Sequence, residues 1–146
     1  MRKTKKNKNK SMTVVIGSSR LGASIASMAS QDGTYTSIID NDPNSFKKLD
    51  SGYSGYTIIG DASEQSVLEK AHISEAKEVV IATGDDNTNI FLACMICEFY
   101  DVPNVIVRLR DENKASLLAD DRIKIISTSM LSVQAYKSIR AQEEDN

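Results

Sequence analysis

The stretch MTVVIGSSRLG, residues 12–22, decides the fold of this chain. Its first five residues are apolar and mostly β-branched, a run long enough for one buried strand and too short for a helix. Gly17 and Gly22 bound the turn that follows, and a helical pattern comes next. A second β-branched run, residues 35–39, stops at Asp40. Strand, glycine-bounded turn, helix, strand and acid is the order of a mononucleotide-binding βαβ unit.

Each part of this unit has a physical role. Gly17 lets the chain turn sharply off the strand, and Gly22 lets the helix lie close to the sheet. The helix N-terminus directs free N–H groups and the positive end of its dipole at a phosphate. Asp40, at the tip of the second strand, can accept hydrogen bonds from ribose hydroxyls. The alternative is a plain strand–helix turn that binds no ligand.

Ser19 departs from this pattern, because it stands where the middle glycine of Gly-x-Gly-x-x-Gly is expected. That glycine normally allows a pyrophosphate to approach the backbone, so a Cβ there should displace the ligand outward. We expect the Ser19 hydroxyl to offset this partly by donating a hydrogen bond to a phosphate oxygen.

The composition indicates one globular domain. The chain has 146 residues, 40% of them hydrophobic and 26% charged, which is ordinary for a soluble protein. No apolar run approaches the ~20 residues that cross a bilayer, and no signal peptide follows the basic N-terminus, so we expect a cytoplasmic protein. Two cysteines cannot form a disulfide framework.

The charge is unevenly distributed along the chain. Residues 1–10 carry six basic residues and no acid, and the remainder has 12 basic and 20 acidic residues, a net charge of −8. This excess of acidic residues after residue 10 disfavours binding to nucleic acid. We expect residues 1–11 to form a disordered tail, which either keeps the protein soluble or contacts a membrane surface or an acidic partner.

The rest of the chain alternates helices with β-branched runs. Six strands joined by short loops predict a doubly wound, Rossmann-like parallel sheet of order 3-2-1-4-5-6 with helices on both faces. Several local expectations follow from helical periodicity and capping preferences. The first helix should bury Leu21, Ile25, Met28 and Ala29. Asp42 and Pro43 should begin a helix that turns Phe46 and Leu49 inward and Lys47 and Lys48 to water. Ser63 should cap a helix that His72 closes, and Ser129 should cap a last helix that ends near Arg140, before a frayed tail at 141–146.

The carboxyl ends of the first four strands should meet at one edge of the sheet, where such folds bind ligands. The candidate cofactor-binding residues there are Gly17, Ser18, Ser19, Arg20, Leu21, Gly22, Asp40, Asn41, Asp61, Ala62, Thr83, Gly84 and Asp85. Arg20 can clamp a terminal phosphate or form a surface ion pair. Asp61 can border the adenine or cap a helix. Asp40 should repel the 2′-phosphate of NADP.

No residue pattern indicates catalysis or a metal site. Cys94 and Cys97 lie in the middle of a helix, where core packing explains them better than redox chemistry. His72 is the only histidine and has no nucleophile signature near it. Asp85 and Asp86 open a helix, where the dipole favours acids.

Taken together, the motifs resemble the RCK N-terminal domain, also called TrkA-N or KTN, over about residues 12–139. The motifs are Gly17–Gly22 with Arg20, Asp40-x-Asp42-Pro43, Gly60-Asp61-Ala62, Leu68-x-x-Ala71, Thr83-x-Asp85-Asp86-x-x-Asn89, and Val102-Pro103 followed by Arg108. The resemblance implies a nucleotide-binding domain at 12–140 in the cytosolic regulatory subunit of a Trk/Ktr-type potassium uptake system. It implies binding of NAD(H), ADP, ATP or AMP, with phosphate at Gly17–Gly22, ribose at Asp40 and adenine near Asp61.

The resemblance also implies partners. Such domains dimerise, assemble into rings, and lie at the inner face of the membrane beneath an integral-membrane potassium channel subunit. Because no C-terminal ligand domain follows the unit, we expect a short regulator that can work with a second RCK chain. Ser129 stands where ATP-responsive relatives tend to have an acid that serves a cation, which speaks against cation-assisted ATP sensing. Arg108 is expected at an interface or the core rim.

Three classes of function remain. We favour a non-catalytic sensor that reads nucleotide charge and gates the channel. A small NAD-dependent reductase is the alternative, although the chain lacks a Tyr-x-x-x-Lys pair. Nucleic-acid binding through the basic tail is the third. The last helix, which carries Met130, Leu131, Val133 and Ile139, either forms a dimer interface or packs on its own sheet.

Overall fold

A computed structural model of the chain describes residues 11–145, and the predicted basic tail lies outside this range except for Ser11. Six parallel strands form one sheet in the order β3-β2-β1-β4-β5-β6, which confirms the predicted topology. The strands are β1 Met12–Ile16, β2 Tyr35–Asp40, β3 Tyr56–Ile59, β4 Ala76–Ile81, β5 Asn104–Leu109 and β6 Ile123–Ser127. The α-helices are α1 Arg20–Gln31, α2 Gln65–Lys70, α3 Asp86–Phe99 and α4 Thr128–Glu144. Short 3₁₀ helices span Pro43–Lys48, Ile73–Glu75 and Glu112–Leu117.

Helices cover both faces of the sheet, as expected of a doubly wound fold. The larger core cluster joins the sheet to α2 and α3, with Leu68 and Ile96 fully buried. The smaller cluster joins the other face to α1 and the 3₁₀ helix Pro43–Lys48. Two layers of helices thus hold the central strands β1 and β4 in place.

Small residues, not the predicted large ones, form the buried face of α1. Those buried are Gly22, Ala23, Ala26, Ser27 and Ser30. The predicted face is therefore wrong for Met28, which is 58% exposed, while Leu21, Ile25 and Ala29 are partly buried. The physical reason is the close approach of α1 to the sheet, which leaves room only for small side chains beneath it.

Two local predictions at helix ends need correction, and a third is confirmed. Ser63 does not cap α2, whose N-cap is Glu64, because the amide and hydroxyl of Ser63 both donate to Asp61. Residues 43–48 are a 3₁₀ helix, although Asp42 caps it as predicted. His72, by contrast, confirms the prediction that it closes α2, because it adopts the left-handed conformation with φ 62°.

The last helix is longer than predicted at both ends. Its cap is Ser127, whose hydroxyl accepts from the amide of Met130, instead of Ser129. The helix continues past Arg140 to Glu144, because residues 141–144 are good helix formers and Arg140 pairs with Glu144 one turn on, at 3.9 Å. Residues 141–144 therefore belong to this helix, and the domain boundaries stay a prediction.

Within residues 11–145, none of the helices combines the length and apolar character required to span a bilayer.

Candidate functional site

A cavity of about 480 Å³ opens where the carboxyl ends of β1 to β4 meet. Its volume lies within the ~300–1,000 Å³ typical of small-molecule sites. Most of the predicted site residues line it: Gly17, Ser18, Ser19, Asp40, Asn41, Asp61, Ala62, Thr83, Gly84 and Asp85. The cavity is also lined by Asp42, Ser45, Lys48, Thr88 and Leu92, which the sequence analysis did not assign to the site. Arg20, Leu21 and Gly22 lie in the first turn of α1 and do not line the cavity.

Close backbone packing explains the two glycines of the turn. Gly17 has φ +96°, and a Cβ there would lie 2.7 Å from the amide nitrogen of Thr83. A Cβ on Gly22 would lie 1.9 Å from the carbonyl oxygen of Gly17. No side chain fits at either position, so the turn between β1 and α1 folds tightly against the end of β4.

The Ser19 hydroxyl is engaged within the protein. It donates a hydrogen bond to the carbonyl oxygen of Ala82 at 2.7 Å and accepts one from the amide of Gly22 at 3.1 Å, as the N-cap of α1. Because a hydroxyl has one proton, the predicted donation from Ser19 to a phosphate is wrong. The amides of Arg20 and Leu21, which precede the first intrahelical bond, are the donors that α1 can offer an anion.

Asp40 is fixed at the tip of β2. One carboxylate oxygen accepts the amide of Ser18 at 2.8 Å, and the other accepts the amide of Asp42 at 2.8 Å. These bonds join the turn after β1 to the segment after β2. Each oxygen retains a further lone pair, so the carboxylate can still accept from ribose hydroxyls.

Asp61 and Asp85 add two ionised carboxylates to the wall. Hydrogen bonds from the backbone and side chain of Ser63 hold the pKa of Asp61 below its usual value. The amide of Thr88 has the same effect on the pKa of Asp85, the N-cap of α3. Asp61 thus holds the turn before α2 and lines the cavity, but it is not the N-cap of α2, which is Glu64.

Asn89 holds the wall formed by Thr83 and Gly84, a role that its motif alone did not reveal. It is fully buried on α3, and its amide group donates to the carbonyl oxygens of Thr83 at 3.1 Å and Arg108 at 2.9 Å. Its side-chain oxygen accepts from the amide of Thr83 at 3.2 Å and also contacts the Thr83 hydroxyl. The ends of β4 and β5 are therefore joined through one side chain.

Lys48 is the cationic side chain that reaches the cavity. Its amine donates to the carbonyl oxygen of Ser18 at 3.1 Å, and the Ser18 hydroxyl donates to the carbonyl oxygen of Ser45 at 3.0 Å. Lys48 is exposed, as predicted, and it also lines the cavity, because a 3₁₀ helix has three residues per turn and places Lys48 directly over Ser45.

The two cysteines lie away from this cavity. Cys97 packs against the core and burial raises the pKa of its thiol, whereas Cys94 is exposed, so the core-packing prediction is confirmed for Cys97 only. Arg122 donates to the carbonyl oxygens of Cys97 at 2.6 Å and Tyr100 at 3.1 Å, which ties β6 to the end of α3. Arg108 is half-buried and does not line the cavity, in agreement with the expected place at the core rim.

Similar sequences include proteins that are named as potassium uptake proteins. The sequence model of the TrkA-N domain matches residues 13–129. The Trk system potassium uptake protein TrkA of Streptomyces coelicolor is 32% identical over 115 residues, which are 79% of this chain and 52% of that protein. A TrkA homolog of Pyrococcus horikoshii is 34% identical over 109 residues, 73% of this chain and 47% of that protein. The chain thus spans about half the length of these relatives.

Solved structures share the fold at low sequence identity. The RCK domain of GsuK superimposes with a TM-score of 0.76 at 20% identity, over 93% of this chain and 29% of that one. The TrkA-N domain of the Escherichia coli inner membrane protein YbaL has a TM-score of 0.76 at 11% identity, over 88% and 95% of the two chains. GsuK has also been solved bound to ADP, with a TM-score of 0.71 at 21% identity over 89% of this chain and 34% of that one.

Proposed function

The chain belongs to the TrkA-N domain family, and from that premise we propose that it is a non-catalytic, cytoplasmic regulator that binds an adenine nucleotide and gates a potassium channel subunit. The observation that carries the proposal is the cavity at the carboxyl ends of β1 to β4, where the glycine turn meets Asp40. The helix N-terminus suits phosphate and the carboxylate suits ribose, and the two are linked by one hydrogen bond.

The cavity supports binding better than chemistry. Among residues 11–145, the side chains that line it include no histidine, cysteine or tyrosine that could transfer a proton near neutral pH. They offer hydroxyls, carboxylates and one lysine. A regulator needs only a ligand that binds two conformations with different affinity, and this wall supplies the contacts for such a difference.

The names of the relatives support the choice of partner. The Streptomyces and Pyrococcus proteins are named as Trk potassium uptake proteins, and GsuK has been solved bound to ADP. We therefore propose an integral-membrane potassium channel subunit as the partner, which would place this chain at the inner face of the membrane. NAD(H), ADP, ATP and AMP are the candidate ligands.

Helix α4 supports a homo-oligomer, with a dimer as its smallest form. It has no buried residue, and Leu131 and Ile139, on one face, are 56% and 57% exposed. We propose that this apolar face of α4 packs against a second copy of the chain.

Nucleotide titration tests the binding proposal. In isothermal calorimetry with AMP, ADP, ATP, NAD and NADH, at least one should bind at one per chain with a Kd of about 10 μM or tighter, a free energy of about −7 kcal/mol. Chromatography should recover that ligand unchanged. Absence of saturable binding up to millimolar ligand would contradict the proposal, as would oxidation of NADH by a carbonyl panel.

Light scattering after size exclusion tests the oligomer. The substitutions Leu131→Glu and Ile139→Glu together should reduce the mass to that of a monomer, because each places a charge in the interface. Lys137→Glu, which places a carboxylate on the opposite side of α4, should leave the mass unchanged. A native chain that is monomeric at micromolar concentration would refute the role of α4.

A further inference from the structure

We propose that Lys48, and not Arg20, supplies the positive charge that pairs with a phosphate of the bound adenine nucleotide. Lys48 would then determine how strongly the cavity distinguishes a charged nucleotide from its uncharged nucleoside. This inference rests on the proposed function, because it requires an adenine nucleotide in the cavity, and it names the residue that reads the charge of that ligand.

The charge of the wall makes such a cation necessary. Four carboxylates line the cavity, those of Asp40, Asp42, Asp61 and Asp85, and Lys48 is the single cationic side chain among the lining residues between positions 11 and 145. Hydrogen bonds keep at least Asp61 and Asp85 ionised at neutral pH, since they lower the pKa of both groups. A phosphate in this cavity is repelled by these carboxylates, and Lys48 is the lining side chain whose charge can offset that repulsion.

The position of Lys48 suits a phosphate at the start of α1. Its amine lies 3.1 Å from the carbonyl oxygen of Ser18, the residue immediately before the N-cap Ser19. An ammonium group has three donors, so two remain for phosphate oxygens after the bond to Ser18. The helix N-terminus and Lys48 therefore present donors and positive charge from two elements to the same end of the cavity.

The 3₁₀ helix fixes this position. The hydroxyl of Ser18 donates to the carbonyl oxygen of Ser45, which anchors the 3₁₀ helix Pro43–Lys48 over the glycine turn. Lys48 stands one 3₁₀ turn beyond Ser45 and therefore on the same side. Lys47, its neighbour, is exposed like Lys48 but does not line the cavity, so it provides a matched control.

Arg20 carries the positive charge expected for phosphate binding, but its side chain lies outside the cavity lining. It is the first residue of α1, it is exposed, and it does not line the cavity. An arginine at the first turn of an exposed helix N-terminus is, moreover, opposed by the helix dipole. Lys48 is therefore better placed than Arg20 for the phosphate contact that the sequence analysis assigned to Arg20.

The test compares adenosine with its phosphorylated forms in Lys48→Gln, Lys47→Gln and the native chain, by calorimetry at 50 mM NaCl. Lys48→Gln should weaken AMP and ADP about fivefold, the upper range for a partly exposed ion pair, and leave adenosine unchanged. The effect should shrink at 500 mM NaCl, because salt screens exposed charges. Lys48→Arg should restore affinity, and Lys47→Gln should bind like the native chain.

Two positions of the phosphate are distinguished by comparing NAD with NADP. An equal loss for AMP, NAD and NADP on Lys48→Gln indicates that Lys48 contacts the 5′-phosphate chain. A loss that is larger for NADP than for NAD indicates contact with a phosphate on the ribose. Either pattern supports the inference, because both require Lys48 to read phosphate charge.

Three results would overturn it. Equal weakening of adenosine and AMP in Lys48→Gln would show that Lys48 only supports the turn through Ser18. Unchanged AMP affinity in that variant, with a loss in Arg20→Gln, would return the role to Arg20. If the native chain binds no nucleotide, the proposed function fails together with this inference. If it binds a nucleotide with an affinity that Lys48→Gln does not change, only the inference is overturned.

Discussion

Replacing Asn89 by leucine should destabilise the fold and loosen the candidate site together. Asn89 is fully buried, and the substitution removes its bonds to the amide and carbonyl of Thr83 and to the carbonyl of Arg108. Leucine has a similar volume, so the effect comes from lost hydrogen bonds and not from a cavity.

The size of the effect follows from the groups left without this partner. A buried donor or acceptor that loses its hydrogen bond costs about 1–3 kcal/mol. Thr83 is only partly buried, so water can replace some of the hydrogen bonds that its groups lose and their cost is lower. Asn89→Leu should therefore lower the free energy of unfolding by about 2–4 kcal/mol. Against the ~5–15 kcal/mol that stabilises a typical domain, this loss is readily measured.

Urea denaturation followed by circular dichroism gives the free energy of unfolding, with Asn87→Leu as control. Asn87 lies on the same helix but is exposed, so its substitution should change stability by less than about 0.5 kcal/mol. The Thr83–Gly84 wall is held by Asn89, so nucleotide affinity of folded Asn89→Leu should also fall. A loss of stability below about 1 kcal/mol with an unchanged denaturant slope would refute this reasoning.

Two further predictions concern packing and charge. Gly22→Ala should cost about 3 kcal/mol or more in urea denaturation, because its Cβ would lie 1.9 Å from the carbonyl oxygen of Gly17. Gly52→Ala should change stability little, because its Cβ would lie 3.8 Å from the side-chain nitrogen of Gln31, an ordinary van der Waals distance. Equal stability of the two variants would contradict the close approach. The Arg122 guanidinium lowers the pKa of Asp120 to about 2, so the stability from this pair is present above about pH 4 and is lost as the pH falls towards 2. Denaturation midpoints of Asp120→Asn should therefore fall less than those of the native chain across that interval, and parallel curves would show that the pair contributes nothing.

The sheet was predictable because its strands carry local signals. Runs such as residues 12–16 and 104–109 are β-branched and apolar at the positions that the sheet buries, and right-handed crossovers then leave few possible strand orders. The glycine turn and Asp40 were predictable for the same reason: a short segment determines both their conformation and their place at the strand ends.

The remaining features depend on contacts distant in sequence. The bond from Ser19 to Ala82 and the bond from Asn89 to Arg108 exist only because β1, β4 and β5 are neighbours in a particular register. The placement of Lys48 depends on a 3₁₀ helix too short to show its period in the sequence. The longer α4 differs again, because it has no buried residue whose periodicity would mark its ends.

Titration of ¹⁵N-labelled protein with the adenine nucleotide that binds most tightly, followed by amide chemical shifts, tests the central claim directly. If the cavity at the strand ends holds the nucleotide, the amides of residues 17–22, 40–42 and 83–85 should shift together with one binding constant, and the ligand should stay chemically intact. Saturating shifts confined to other surfaces, or none at millimolar nucleotide, would contradict the account.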